Sequence, residues 1–148
     1  MLKQYGSLDT NNKLIWNFRD IGHIMRHISE GKGSQKRILI LLNEAGIITQ
    51  RELTKRLGIQ PGSVSEVLAK LEAMELITRS LSETDHRTVD LQLTETGKEL
   101  AKEASGQREA RHQEMFSCLS EEEKATLLDL LEKVSLDWKD RFRENKEG

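Results

Sequence analysis

After Leu76 the apolar residues stop recurring every three or four positions and begin to alternate with polar ones. Ile77, Arg79 and Leu81 share one side, Ser82 to His86 read as a turn, and the alternation returns at Val89, Leu91 and Leu93. Side chains three or four apart share a helix face and side chains two apart share a strand face, so this change of spacing is a change of element. A two-stranded hairpin is therefore predicted over residues 77–93, and what precedes it reads as helix. Thr49-Gln50-Arg51-Glu52 matches a capping box, which predicts a short helix from about Gln50 to Leu57, stopped by Gly58. Pro61 suits the first turn of the next helix, where its missing N–H would be unpaired anyway. Val64, Leu68 and Leu71 give that helix an inner face, while Ser63, Ser65, Glu66 and Lys70 point elsewhere.

The flanks are helical as well. Leu14, Phe18, Ile21, Met25 and Ile28 form a seam on a helix over residues 12–30, widened by Ile15, Gly22 and Ile24. Gly31-Lys32-Gly33-Ser34 ends it. Ser34 then opens a helix whose Ile38 to Leu42 run is apolar nearly all round and is expected to be buried, with Gly46 as its stop. Beyond the hairpin, Thr94 caps a helix running to about Cys118. Ser120-Glu121-Glu122-Glu123 is a second capping box, opening a last helix with Leu127, Leu131, Val134, Trp138 and Phe142 on one face.

Composition agrees with this reading and removes several classes. The chain has 148 residues, one proline and 4% aromatic residues, and 32% of it is charged: one soluble, mainly helical domain is expected. The one cysteine, Cys118, rules out an internal disulfide framework and any multi-cysteine metal site. No apolar run approaches the roughly 20 residues that span a bilayer. The first residues, Met1 to Gly6, carry no secretory pattern, so a cytoplasmic protein with no membrane partner is expected. The net charge of -2 argues against nucleic acid until it is divided: residues 32–94 hold 9 basic and 8 acidic residues, and residues 95–148 hold 10 and 14. The acidic surplus lies in the C-terminal third, so any electrostatic case for DNA rests on where individual cations sit.

A short helix, a glycine turn, a second helix with an exposed polar face and then a hairpin make a helix-turn-helix with a wing. A helix fits the major groove, where base edges are distinguishable, and a cation on a hairpin tip can enter the minor groove. Ile48 to Ser65, then Leu71-Glu72, Asp85-His86-Arg87 and Leu93-Thr94-Glu95-Thr96-Gly97 together resemble the winged-helix core of the MarR (multiple antibiotic resistance regulator) family of bacterial transcription factors. The wing signature, an aspartate two residues before an arginine and Leu-Thr-x-x-Gly further on, is its most specific part. The motifs cover residues 34–97, and the helix order extends the likeness over nearly the whole chain.

The resemblance implies a mainly α fold with a small β-hairpin wing. It divides the chain into a dimerisation helix (1–33), a DNA-binding core (34–97) and further dimerisation helices (98–148), all one intertwined unit. It implies a homodimeric DNA-binding regulator, a repressor on a pseudo-palindromic operator, released by a small-molecule effector and needing no cofactor. The helix seams also exceed what a small winged helix could cover alone; a second subunit or an intramolecular bundle would each bury them. By position, Pro61 to Lys70 match the recognition helix, with Gly62 in its first turn and Ser63, Ser65 and Glu66 on its outer face. Arg87 matches the wing-tip arginine and Asp85 the acid that holds it. Gln50, Arg51 and Lys55 are candidates for phosphate contacts. Two positions depart from the family. Many members carry arginine where Glu66 stands; Glu66 either reads a cytosine amino group or pairs with Lys70, its i+4 neighbour. His86 replaces a common arginine or glycine and would add a pH-dependent phosphate contact.

Candidate sensing residues are fewer. Trp16, His23, His27 and Phe116, with Phe18 and Met25, are candidates to line an effector pocket. His23, His27 and His112 would suit a metal-responsive regulator, although relatives that sense zinc place a His pair after the wing, where only His112 lies. Cys118, beside Phe116 and Leu119, reads as a small buried hydrophobe. An enzyme is disfavoured: Gly31 to Ser34 lacks the spacing of a phosphate loop, and no nucleophile, base and orienting group can be assembled. A winged helix that binds protein and not duplex DNA is the other alternative, supported by weak positive charge and Glu66.

Overall fold

The computed structural model describes residues 2–28 and 34–143. Elements run α1 (Leu2–Gly6), α2 (Thr10–Ile28), α3 (Gln35–Ala45), β1 (Ile48–Thr49), α4 (Gln50–Leu57), α5 (Pro61–Ala73), β2 (Ile77–Leu81), β3 (Val89–Leu93), α6 (Glu95–Met115) and α7 (Glu121–Arg141). The fold is mainly helical with a small antiparallel sheet, as expected. The Gly31-Lys32-Gly33 stretch lies outside the described residues. No described helix is long and apolar enough to cross a membrane.

The helix starts follow local chemistry. Ser34 accepts from the Arg37 backbone N–H at 3.1 Å, and Thr49 accepts from that of Glu52 at 3.1 Å. The reciprocal half of the Thr49 box is absent: the Glu52 carboxylate faces Arg56 instead, at 3.4 Å. Ser120 makes the complete box, its hydroxyl accepting from Glu123 N–H at 3.1 Å while the Glu123 carboxylate accepts from its own N–H at 2.9 Å. The Ser120 N–H, followed by its hydroxyl, holds the Glu123 carboxyl below its ordinary value. Gly58 closes α4 in the left-handed region, at φ 66°.

Three features differ from the expectation. The hairpin has a third strand, β1, in the order β1-β3-β2, with Ile48 opposite Leu91 and Thr49 opposite Asp90. Two residues are too few to show a period, so β1 leaves no trace in the spacing. The short α1 was not anticipated; Tyr5 turns back on α2, its hydroxyl accepting from the Asn17 amide at 3.0 Å and its ring meeting Trp16 edge-on at 6.0 Å. α6 stops at Met115 rather than near Cys118, and residues 116–118 turn.

The chain divides into two compact units, residues 1–105 and 106–148. In the first, Ile38, Leu42, Leu53, Leu57, Val64, Leu68 and Leu71 from three helices meet Ile77, Leu91 and Leu93 from the sheet in one buried core. In the second, α7 buries none of its residues. α2 also buries none, and Leu14, Ile21, Ile24 and Met25 are about half exposed.

Candidate nucleic-acid interface

α4 and α5 are fixed from beneath. Leu53 and Leu57 pin α4, and Val64, Leu68 and Leu71 pin α5, all of them sealed in the core. Their opposite faces are left to solvent by helical spacing alone: Pro61, Gly62, Ser63, Ser65, Glu66 and Lys70 on α5, with Arg51 and Lys55 on α4, are exposed. The structure thus brings the recognition-helix candidates together on one outer face. It also joins two of them directly, since the Gln50 amide donates to the Ser65 hydroxyl at 3.0 Å across 15 positions of sequence. That bond orients Ser65, whose own proton remains available to an acceptor. Glu66 lies 3.9 Å from Lys70, the intrahelical arrangement of the two weighed above. Both side chains are well exposed, so the pair is weak and can open.

The wing tip is shaped by its own backbone. Ser82, buried to 5% exposure, bonds Thr84 through its hydroxyl and the Thr88 carbonyl through its N–H. Asp85 Oδ1 accepts from the Arg87 N–H at 3.0 Å and from Arg87 Nε at 3.4 Å. A solvated pair of this kind adds little energy. What it does is aim Arg87, whose side chain is 93% exposed at the tip beside the exposed His86.

Two constellations around the wing involve residues of the family motifs, Glu72 and Thr94 to Gly97, through contacts that sequence spacing does not show. Glu72 near the end of α5 accepts a forked pair of bonds from Arg79 on β2, each 3.2 Å. The Arg79 hydrogen bond is the main cause of the Glu72 carboxyl lying below its ordinary value. The second explains the Leu-Thr-x-x-Gly signature. Thr94 donates its N–H to the Leu76 carbonyl at 3.0 Å and its hydroxyl to the Glu75 carbonyl at 2.7 Å, and that hydroxyl accepts from Gly97 N–H at 3.1 Å. A Cβ at Gly97 would collide with the Leu76 carbonyl oxygen, so only glycine lets α6 pass this close. The glycine was visible in the sequence; the carbonyl it faces was not.

The sensing candidates divide between the two units. Trp16 and His23 line a groove of about 560 Å³ along α2 with Leu8, Asn12, Ile15, Arg19 and Asp20. His27 meets the His23 ring edge-on at 4.6 Å and does not line that groove. Phe116 lines another pocket, of about 210 Å³, with Lys124, Leu127, Leu128 and Leu131. Among the described residues no group of three or more His, Cys, Asp or Glu is arranged to hold a metal ion. Cys118 is exposed and not buried as expected; it lies in the unit 106–148, where no described residue is buried and its neighbour Phe116 is itself exposed.

The MarR family model matches residues 33–89. The HTH-type transcriptional regulator MhqR of Bacillus subtilis is 32% identical over 119 residues, which cover 79% of this chain and 82% of that protein. A mutant of Staphylococcus aureus MepR superposes with a TM-score of 0.68 at 27% identity, over 82% of this chain and 96% of that one. A mutant of Escherichia coli MarR, solved in complex with operator DNA, superposes with a TM-score of 0.64 at 26% identity, over 86% of this chain and 99% of that one.

Proposed function

The chain belongs to the MarR family of transcriptional regulators, and from that premise we propose that two copies form a DNA-binding repressor that leaves its operator when a small molecule binds. One observation carries the reading: the outer face of α5 and the wing-tip Arg87 are both exposed, and both stand on the same sealed core. α5 enters the major groove with Ser63, Ser65 and Glu66 toward base edges and Pro61 and Gly62 close to the backbone. Arg87, aimed by Asp85, enters the neighbouring minor groove, and Arg51, Lys55 and His86 meet phosphates. Gln50 acts through Ser65. Lys70 holds Glu66 until a cytosine amino group replaces it.

The dimer follows from the uncovered apolar faces of α2 and α7, which a second copy would bury. Residues 1–33 and 98–148 then serve association, and residues 34–97 serve reading. The groove beside Trp16 and His23 is our candidate effector site. A ligand that binds better when the two reading heads are wrongly spaced draws the population away from DNA. The relatives are named as transcriptional regulators, and we assign no residue a catalytic role. The cytoplasm, where its operator would lie, is the compartment this reading requires.

Selection of bound duplexes from a random pool tests the reading. It should enrich a pseudo-palindrome with half-sites about 10 bp apart, bound with an affinity that falls steeply with salt. No enrichment would favour a winged helix that binds protein.

A further inference from the structure

The joint between α5 and the wing holds a feature with no role so far. Glu72, one residue before the end of α5, accepts from Arg79 Nε and Nη2 in the middle of β2, both at 3.2 Å. A guanidinium fork on a carboxylate fixes orientation as well as distance, which a lysine cannot do. The Arg79 side chain is only 26% exposed. On the same face of β2, Ile77 is sealed in the core while Leu81 is 63% exposed, so the core ends beneath Arg79. Thr94 secures the base of the hairpin through the Leu76 and Glu75 carbonyls. The fork is the outermost side-chain hydrogen bond to α5 among the described residues. On the other edge β1 supports β3 one register further, Thr49 opposite Asp90, and past that Leu81 and residues 83–87 are exposed.

The lever is long. Five residues of strand and turn at about 3.3 Å each reach about 16 Å, so about 10° of freedom at the fork moves the tip by about 3 Å. That exceeds the tolerance of a hydrogen bond. The connection between α5 and β2 is three residues long and held by its own backbone, with Leu76 N–H donating to the Leu71 carbonyl at 3.0 Å and Thr94 bonded to the Leu76 and Glu75 carbonyls. The base of the hairpin is thus fixed, and the fork governs the tilt of what extends beyond it.

We propose that Glu72 and Arg79 are positioning residues: their fork sets the tilt of the wing against α5 and so determines whether Arg87 and the recognition helix engage DNA at once. The proposal rests on the duplex-binding reading, and the pair acts through Arg87 rather than by touching DNA.

The probe is a labelled duplex recovered from a random pool by the unmodified chain. Glu72→Gln and Arg79→Lys, the second keeping charge but losing the fork, should each weaken binding about fivefold when Arg87 is present and less than about twofold in an Arg87→Ala background. The exchanged pair Glu72→Arg with Arg79→Glu should recover most of the loss. Without DNA, amide hydrogen exchange over residues 82–88 should rise about fivefold in the single variants while residues 35–45 stay unchanged. Equal losses with and without Arg87, or faster exchange in residues 35–45 as well, would reduce the pair to general stability and overturn the proposal. If the unmodified chain recovers no duplex, the DNA-binding reading fails separately. The exchange arm still decides whether the fork holds the wing, and unchanged exchange over residues 82–88 would sink that role.

Discussion

The winged-helix core and the long helices α2 and α7 are both amphipathic, yet one chain satisfies only the first. In the core, Ile38, Leu42, Leu53, Val64, Leu68, Leu71 and Leu91 reach 0% exposure, whereas α2 and α7 bury no residue and leave Ile21 53% and Leu128 56% exposed. Three short helices and a sheet surround a common centre, so each apolar face meets several others. A long helix has one stripe and needs a partner of equal length. The reading head is therefore complete within one chain, and the proposed dimer helices are half of something.

That contrast can be broken in several ways. Gly97→Ala drives a methyl group into the Leu76 carbonyl oxygen at the seam of the core. It should cost about 3 kcal/mol or more, read as a lower urea midpoint. A cost below about 1 kcal/mol would mean that α6 can slide and the core is not rigid there. Ile21→Glu, on the exposed seam of α2, should cost less than about 0.5 kcal/mol if α2 stays uncovered. In the proposed dimer it should instead weaken self-association at least tenfold by about the measure of an interface anchor, visible as a shift to monomer in sedimentation. An unmodified chain that already sediments as a monomer would remove the basis of the comparison.

Arg87→Ala touches neither region's packing. It should weaken binding to a selected duplex by about 1–3 kcal/mol while self-association, followed in the same sedimentation experiment, is unchanged. Glu75→Gly sharpens the core side. A residue with a Cβ held at φ 60° is strained, and glycine there should raise stability by about 1 kcal/mol, seen in thermal denaturation.

The smallest effect belongs to α7 and depends on pH. Glu123 is held below its ordinary value in the folded chain by the Ser120 N–H and hydroxyl. A carboxyl depressed by folding adds stability that is complete above its unfolded value and is lost as the pH falls through the folded one. Glu123→Gln should therefore be slightly less stable than the parent at neutral pH, and the two should converge on acidification below about pH 4. Curves that stay parallel would deny the capping box any energetic role.

What was legible depended on the range of the interaction. Ser34, Thr49, Gly58 and Ser120 mark helix ends through bonds spanning three or four residues, Pro61 marks one because it lacks the N–H that a first turn leaves unpaired, and each stands at the boundary its chemistry indicates. The Asp85 and Arg87 pair is equally local, and so is Glu66 with Lys70. The bond between Gln50 and Ser65, 15 positions apart, could not be read, because no spacing rule links the start of one helix to the face of the next. Cys118 is misread for a related reason: apolar neighbours such as Phe116 and Leu119 mark a buried position only where the fold covers them, and no described residue of 106–148 is buried.

By itself the sequence determined the order of α2 to α7 and the hairpin, most of their caps and inner faces, and the exposed polar face of α5, because periodicity and capping are properties of a few consecutive residues. The tertiary structure decided the rest. It added β1 to the sheet, set Gly97 against Leu76, and tied Arg79 to Glu72 where the core runs out. Those contacts join residues that chain spacing does not relate, and they depend on how the finished core angles one element against another.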